Sequence, residues 1–273
     1  MRTKLISSAL VFGGCGGFGV AFTEQLTASG ISVITVDREG EPDILVQDVE
    51  PSALAEALAK VDLVLLCMPQ AASVSVLQGL DGRFEEGLVV DICSVKSEIA
   101  KVAESVCLES EYVSFHPMFG PDRGFKDSNG VVIPIRGGQR AEEFKSLLIE
   151  WHVRVIDTDV ATHDRVTSLV QVVTHAVLAS FANLRANIRE AGDIPEDIVD
   201  AFATPVFAEL ERVSQGMVRE NPELYHNIQT ANPWGDETRA MLTQAVSETL
   251  SILSEPDAEG VRSLFSRVRN QSN

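Results

Sequence analysis

Along its first part the chain carries short apolar blocks separated by polar and turn-forming residues. The clearest are 5–12 (LISSALVF), 31–36 (ISVITV), 62–67 (DLVLLC) and 88–92 (LVVDI). Short runs rich in aliphatic and β-branched residues predict buried strands. Stretches at 17–29, 52–60, 71–80 and 96–106 fall between them and predict helices. Further strand-like runs lie at 112–115, 131–135 and 153–156, with a helix near 140–150. Strands alternating with helices in this way predict βαβ units and a mainly parallel sheet.

The pattern changes near Asp157. From Asp159 to about Glu190 apolar residues recur at helical spacing without Pro or Gly. Thr158 or Asp159 stands where an N-cap is needed, and Gly192 lies at the far end. More helices are expected at 196–202, 205–219, 222–230, 236–254 and 257–269. The expectation is an α/β chain in two parts: a doubly wound, mainly parallel sheet over 1–157, then an all-helical domain over 158–273. So long an apolar helix needs covering, which suggests a helix–helix or dimer interface.

Gly14-Cys15-Gly16-Gly17-Phe18-Gly19 fits G-x-G-x-x-G, between the first strand and the first helix. That context makes it the fingerprint of a Rossmann-type dinucleotide site, the alternative being a turn without a ligand. Gly14 permits the tight turn, Gly16 lets the backbone approach a pyrophosphate, and Gly19 allows close helix–strand packing. Gly17 and Phe18 complete the loop. Asp37 ends the second strand, where an acid accepts hydrogen bonds from ribose hydroxyls and repels a 2′-phosphate. This favours NAD, although neighbouring Arg38 is the residue type that accommodates a phosphate. Met68 and Pro69 follow the third strand, at the strand ends where such sheets bind ligands.

Charge narrows the functions available. The 273 residues carry a formal net charge of −18, which disfavours a nucleic-acid partner. An anionic substrate would need local positive charge. Cys15, Cys67, Cys93 and Cys107 form no CxxC pair, so reduced thiols and a cytoplasmic protein are expected. The five histidines show no metal-ligand spacing, and no membrane span is expected.

Two segments are more specific. Asp91-Ile92-Cys93-Ser94-Val95-Lys96 resembles the D-x-x-S-V-K signature of the prephenate/arogenate dehydrogenase family, which includes 4-amino-4-deoxyprephenate dehydrogenases. His116-Pro117-Met118-Phe119-Gly120-Pro121 resembles its H-P-M-F-G-P signature. Gln171-Val172-Val173-Thr174-His175 is similar to the family's Q-x-x-x-H stretch, and Pro205-Val206-Phe207 and Glu223-Leu224-Tyr225 to later landmarks. The resemblance implies NAD-dependent oxidative decarboxylation of a cyclohexadiene: hydride leaves ring carbon C4, the C4 substituent loses a proton, and the C1 carboxylate departs as carbon dioxide. It also implies a homodimer built through the helical domain.

On that resemblance His116 is the expected proton acceptor and Ser94 its partner at the substrate, both catalytic. Ser94 has a second possible role as N-cap of helix 96–106. Lys96 reads as a helix-start or surface lysine, with a direct catalytic role as the lesser alternative. Gln171 and His175 share a helix face and are expected at the substrate. His163 lies on the same helix with less support. His152 and His226 have only surface or packing roles.

The sequence departs from the family where a carboxylate-binding Arg is expected. Gly216 occupies that position, and Ala208 another that is Arg in some members. Arg212, Arg219, Arg185 or Arg189 could substitute. Alternatively the substrate is 4-amino-4-deoxyprephenate, whose cationic ring substituent favours a site with fewer Arg. Two other readings remain. A β-hydroxyacid-type dehydrogenase would need a catalytic Lys on the long helix, and 159–190 contains none. A non-catalytic NAD sensor would not need an intact Ser94 and His116.

Overall fold

The computed structural model describes residues 4–48, 51–84, 86–106, 109–219 and 221–271, so Cys107 lies outside the described residues. The chain divides into two compact units between Asp164 and Arg165.

The first unit runs β1 (Ser8–Phe12), α1 (Gly17–Ala28), β2 (Ser32–Asp37), β3 (Ile44–Leu45), α2 (Pro51–Leu58), β4 (Leu63–Leu66), α3 (Gln70–Gly79), β5 (Leu88–Asp91), α4 (Ser97–Ser105), β6 (Glu111–Pro117), β7 (Asn129–Arg136), α5 (Gln139–Glu150) and β8 (Arg154–Asp157). These strands form one sheet in the order β3-β2-β1-β4-β5-β6-β7-β8. All neighbours pair parallel except β6 and β7, which are antiparallel. The two-residue β3 and the antiparallel pairing are details the apolar pattern does not reveal.

Alternation along the strands explains why both sheet faces are covered. Ala9 and Val11 of β1, Leu63 and Leu65 of β4, and Leu88 and Val90 of β5 join one core with Phe22, Phe115, Phe144 and Trp151. Leu10, Phe12, Val64, Leu66 and Val89 join another with Leu58, Leu77 and Ile99. Strands apolar on both sides must be sandwiched between helical layers, which gives the doubly wound architecture. Strand order reverses between β1 and β4, so the crevice at their carboxyl ends is the switch point where such sheets bind ligands.

Helix α6 (Val160–Thr167) begins in the first unit and ends in the second. Asp159 caps it by accepting from the Thr162 amide at 2.9 Å. A π-helical segment (Ser168–Val173) follows, then α7 (Thr174–Gly192), making one continuous helix. Asp193 ends it in the left-handed conformation, φ 47°. By length and composition alone, this helix, Val160–Gly192, is long and apolar enough to cross a membrane. Its side chains at Val166, Leu169, Val170, Val177, Leu184 and Ile188 are exposed in the single chain.

The second unit continues with α8 (Glu196–Phe202), α9 (Pro205–Val218), α10 (Pro222–Ala231), α11 (Gly235–Leu253) and α12 (Glu259–Gln271). Thr204 and Asn221 cap α9 and α10, each followed by Pro in the first turn. A π turn shifts the backbone register of the long helix. The side-chain amide of Gln229 donates to the Val172 carbonyl within it at 2.8 Å.

Candidate active site

The glycine turn joins β1 to α1 at the switch point. Gly19 must be glycine, because a Cβ there would lie 2.0 Å from the Gly13 carbonyl oxygen. A Cβ on Gly14 would meet Thr35 Cβ at 2.6 Å. Among the described residues no side chain caps the first turn of α1, so its amides are available to an anion. Asp37 at the end of β2 faces back toward the turn. Its carboxylate accepts from the Cys15 amide at 2.9 Å and from the Arg38 amide at 2.7 Å. An uncapped helix start, glycines at the closest approaches and an acid at the β2 end fit a dinucleotide with a free ribose diol. Arg38 is exposed. Beyond β4, Met68 is half-buried and Pro69 is the N-cap of α3. Cys15 is an exposed free thiol, whereas Cys67 and Cys93 are buried free thiols.

His116 lies near the end of β6, at the same carboxyl edge of the sheet. The loop that follows it packs on the glycine turn. Phe119 meets the Phe18 ring edge-on at 5.8 Å between centroids, and Pro121 lies where a Gly17 Cβ would come within 2.8 Å. The two motifs separated in sequence are thus one surface.

His116 is only 2% exposed, and its Nδ1 lies 2.8 Å from Nε2 of His163 on α6. His163 Nδ1 donates to Asp164 Oδ1 at 2.8 Å. The Asp164 carboxylate also accepts from the amides of Lys96, at 3.0 Å, and Ser97, at 2.9 Å, and from the Ser97 hydroxyl. Asp164 therefore supplies the cap that α4 lacks from its own residues. This corrects the alternative role for Ser94: Lys96 is the N-cap position and α4 begins at Ser97, leaving the half-buried Ser94 in the loop after β5.

Burial, the Lys96 cation and His163 hold the His116 pKa well below the usual histidine value. Burial also lowers that of His163, against the opposing pull of Asp164. Burial acts to raise the Asp164 pKa, but its hydrogen bonds from His163, Ser97 and the Lys96 amide prevail and lower it.

Lys96 is not at the surface. It is fully buried, and its ammonium donates to Asp91 at 3.0 Å and to the Phe115 carbonyl at 2.8 Å. Tyr112 completes the cluster by donating to Asp91 at 2.8 Å. Removing one member of a buried ion pair strands the other charge. Lys96→Met should therefore lower stability by about 3–5 kcal/mol in urea denaturation.

In the helical unit, His175 packs edge-on against Tyr225 with centroids 4.6 Å apart, and its buried Nδ1 has no hydrogen-bond partner among the described residues. Gln171 lies in the π turn, half-buried, so simple four-residue spacing does not describe its position relative to His175. Gly216 is exposed on α9 with open space around its Cβ position. Arg212 pairs with Glu209 on the exposed face of α9. Arg185 pairs with Glu196 and Glu211, and Arg189 with Glu196. Arg219 is exposed at the end of α9. His152 forms a tight turn after α5 in the left-handed conformation, and His226 is exposed on α10. Sequence reasoning missed Asp164 and the depth of Lys96. The available signal was the spacing of His163, Asp164, Thr167 and Ser168, four buried polar residues on one side of a helix.

Residues 25–132 match the sequence model of the prephenate dehydrogenase nucleotide-binding domain, and 159–267 that of the prephenate dehydrogenase dimerization domain. The chain is 28% identical to a 4-amino-4-deoxyprephenate dehydrogenase of Streptomyces pristinaespiralis, over 97% of this chain and 91% of that protein. Two other relatives are longer, and the chain spans 57% and 66% of their lengths. A prephenate dehydrogenase of A. aeolicus, solved with hydroxyphenyl propionate and NAD+, shares the fold at TM-score 0.74 and 15% identity, covering 100% of this chain and 99% of that one. The arogenate dehydrogenase of Synechocystis does so at TM-score 0.68 and 19% identity, over 97% and 98% of the two chains. With both domain models matched in order and together spanning most of its length, the chain belongs to the prephenate dehydrogenase family.

Proposed function

We propose that this protein is an NAD-dependent dehydrogenase that oxidatively decarboxylates 4-amino-4-deoxyprephenate. The observation that carries the reaction class is His116: a buried histidine, held neutral, at the end of β6 just before the loop that packs on the glycine turn. Bound here, NAD would supply the acceptor for the hydride leaving ring carbon C4. The Gly14–Gly19 turn and the start of α1 hold the pyrophosphate, and Asp37 holds the adenosine ribose. Met68 and Pro69 border the crevice beside them. His116 accepts the proton lost by the C4 substituent, with Ser94 hydrogen-bonded at the same substituent. Loss of the C1 carboxylate leaves an aromatic ring. Gln171 and His175 contact the substrate from the long helix.

The choice of the amino substrate rests on charge. Gly216 supplies no cation, and Arg185, Arg189 and Arg212 are each engaged with glutamates. A substrate whose ring ammonium offsets one of its two carboxylates requires less positive charge from the protein than prephenate does. The relative from S. pristinaespiralis supports the same choice. The second reading is prephenate, with exposed Arg219 supplying the carboxylate contact. The protein acts as a homodimer assembled through residues 159–267, which covers the exposed apolar face of the long helix.

Gly216→Arg tests the assignment. Wild-type protein should show the higher kcat/KM with 4-amino-4-deoxyprephenate. The variant should shift the preference toward prephenate by about tenfold or more, the worth of one charge-assisted hydrogen bond. A wild-type preference for prephenate would overturn the substrate choice while leaving the reaction class intact.

A further inference from the structure

The hydrogen-bond chain His116–His163–Asp164 has a direction. Asp164 receives donors at both oxygens: the Lys96 amide and His163 Nδ1 at one, the Ser97 amide and hydroxyl at the other. Surrounded by donors, the carboxylate stays ionised, and His163 must present an N–H at Nδ1. A neutral His163 then carries no proton on Nε2 and can only accept there. His116 Nδ1, 2.8 Å away, must supply that proton. This places the remaining lone pair of neutral His116 at Nε2.

We propose that His163 and Asp164 are positioning residues that fix His116 as its Nδ1–H tautomer, making Nε2 the atom that takes the substrate proton. The inference rests on the dehydrogenase reading for its catalytic consequence, but the tautomer exists in the resting protein. Lys96 and His163 face His116, while Asp164, Lys96, Asp91 and His116 face His163. In the reaction the C4 substituent gives its proton to His116 Nε2, and the hydrogen bond from Nδ1 to His163 keeps the ring aimed. The imidazolium that forms lies one ring from the Asp164 carboxylate, which offsets part of the repulsion from Lys96. Asp164 is also the cap of α4, so ring orientation is tied to the helix that follows the Ser94 loop.

Two measurements test this. Ring-nitrogen NMR on histidine-labelled wild-type protein above pH 7 should show a proton on Nδ1 and none on Nε2 of His116. The reverse tautomer would overturn the proposal whatever the protein's substrate. Steady-state kinetics should then compare His163→Leu with His163→Gln, whose amide oxygen restores an acceptor. The Leu variant should lose about tenfold to hundredfold in kcat, with KM for NAD unchanged. Gln should recover most of that loss. Wild-type kcat in the Leu variant, or equal losses in both variants, would overturn the positioning role. A wild-type protein that oxidises no cyclohexadienyl substrate would instead defeat the dehydrogenase reading, leaving the NMR result to decide the tautomer.

Discussion

His116→Asn should lower kcat for the oxidative decarboxylation by about 10²–10⁴-fold, the usual contribution of a positioned acid–base group. NAD affinity should change little, because His116 belongs to β6 and not to the glycine turn. The fold should survive, since Asn retains hydrogen-bonding capacity toward His163. Steady-state kinetics, NAD titration and circular dichroism on one preparation separate these outcomes. A variant retaining more than a third of wild-type kcat would remove His116 from the chemistry. The wild-type pH profile carries a related signature. Burial, Lys96 and His163 depress the His116 pKa, so the acid limb of kcat/KM due to this group should fall below pH 6.5, the ordinary histidine value. The same depression affects stability. The unfolded chain binds the proton more readily, so the neutral ring's contribution is complete above pH 6.5 and declines as pH falls through the folded value. In His116→Asn that share of the acid sensitivity should disappear.

Gly19→Val should abolish measurable NAD binding and destabilise the first unit. The added Cβ would lie 2.0 Å from the Gly13 oxygen and 2.7 Å from Gly14 Cα, both backbone atoms at the start of the turn. Neither can retreat alone. Gly13 is tied to the Val36 carbonyl at 2.8 Å, and Gly14 packs on Thr35. The helix must therefore move away from the sheet, disturbing Phe22 and Leu26 beneath it. A loss of several kcal/mol is expected for overpacking of this kind, at or above the usual range of about 1–3 kcal/mol. Thermal unfolding and NAD fluorescence titration check the two effects. Near-wild-type NAD affinity in this variant would mean the turn is not the dinucleotide site.

How legible these features were depended on the range of the interaction. Strand and helix positions in the first unit follow from local apolar runs, and the glycine turn from a local motif in its context. The short β3 carries too few residues to declare itself, and β7 becomes antiparallel through pairing that no local pattern encodes. The π turn arises inside a sequence that reads as plain helix. At the candidate site, the motifs alone single out His116 and Ser94. Asp164 looked like an ordinary charge in a helical first turn, yet it binds amides 68 and 67 positions away. Lys96 looked like a helix-start lysine because its partner Asp91 comes from the preceding strand end. Both become visible only when β5, β6, α4 and α6 meet at one edge of the sheet.

The most direct test of the account is a stoichiometric one. Purified protein, NAD and saturating 4-amino-4-deoxyprephenate should yield NADH and carbon dioxide in equal amounts, with 4-aminophenylpyruvate as product. NADH without carbon dioxide, as from a simple hydroxyacid-type oxidation, would contradict the account. So would NAD binding with no turnover of either this substrate or prephenate.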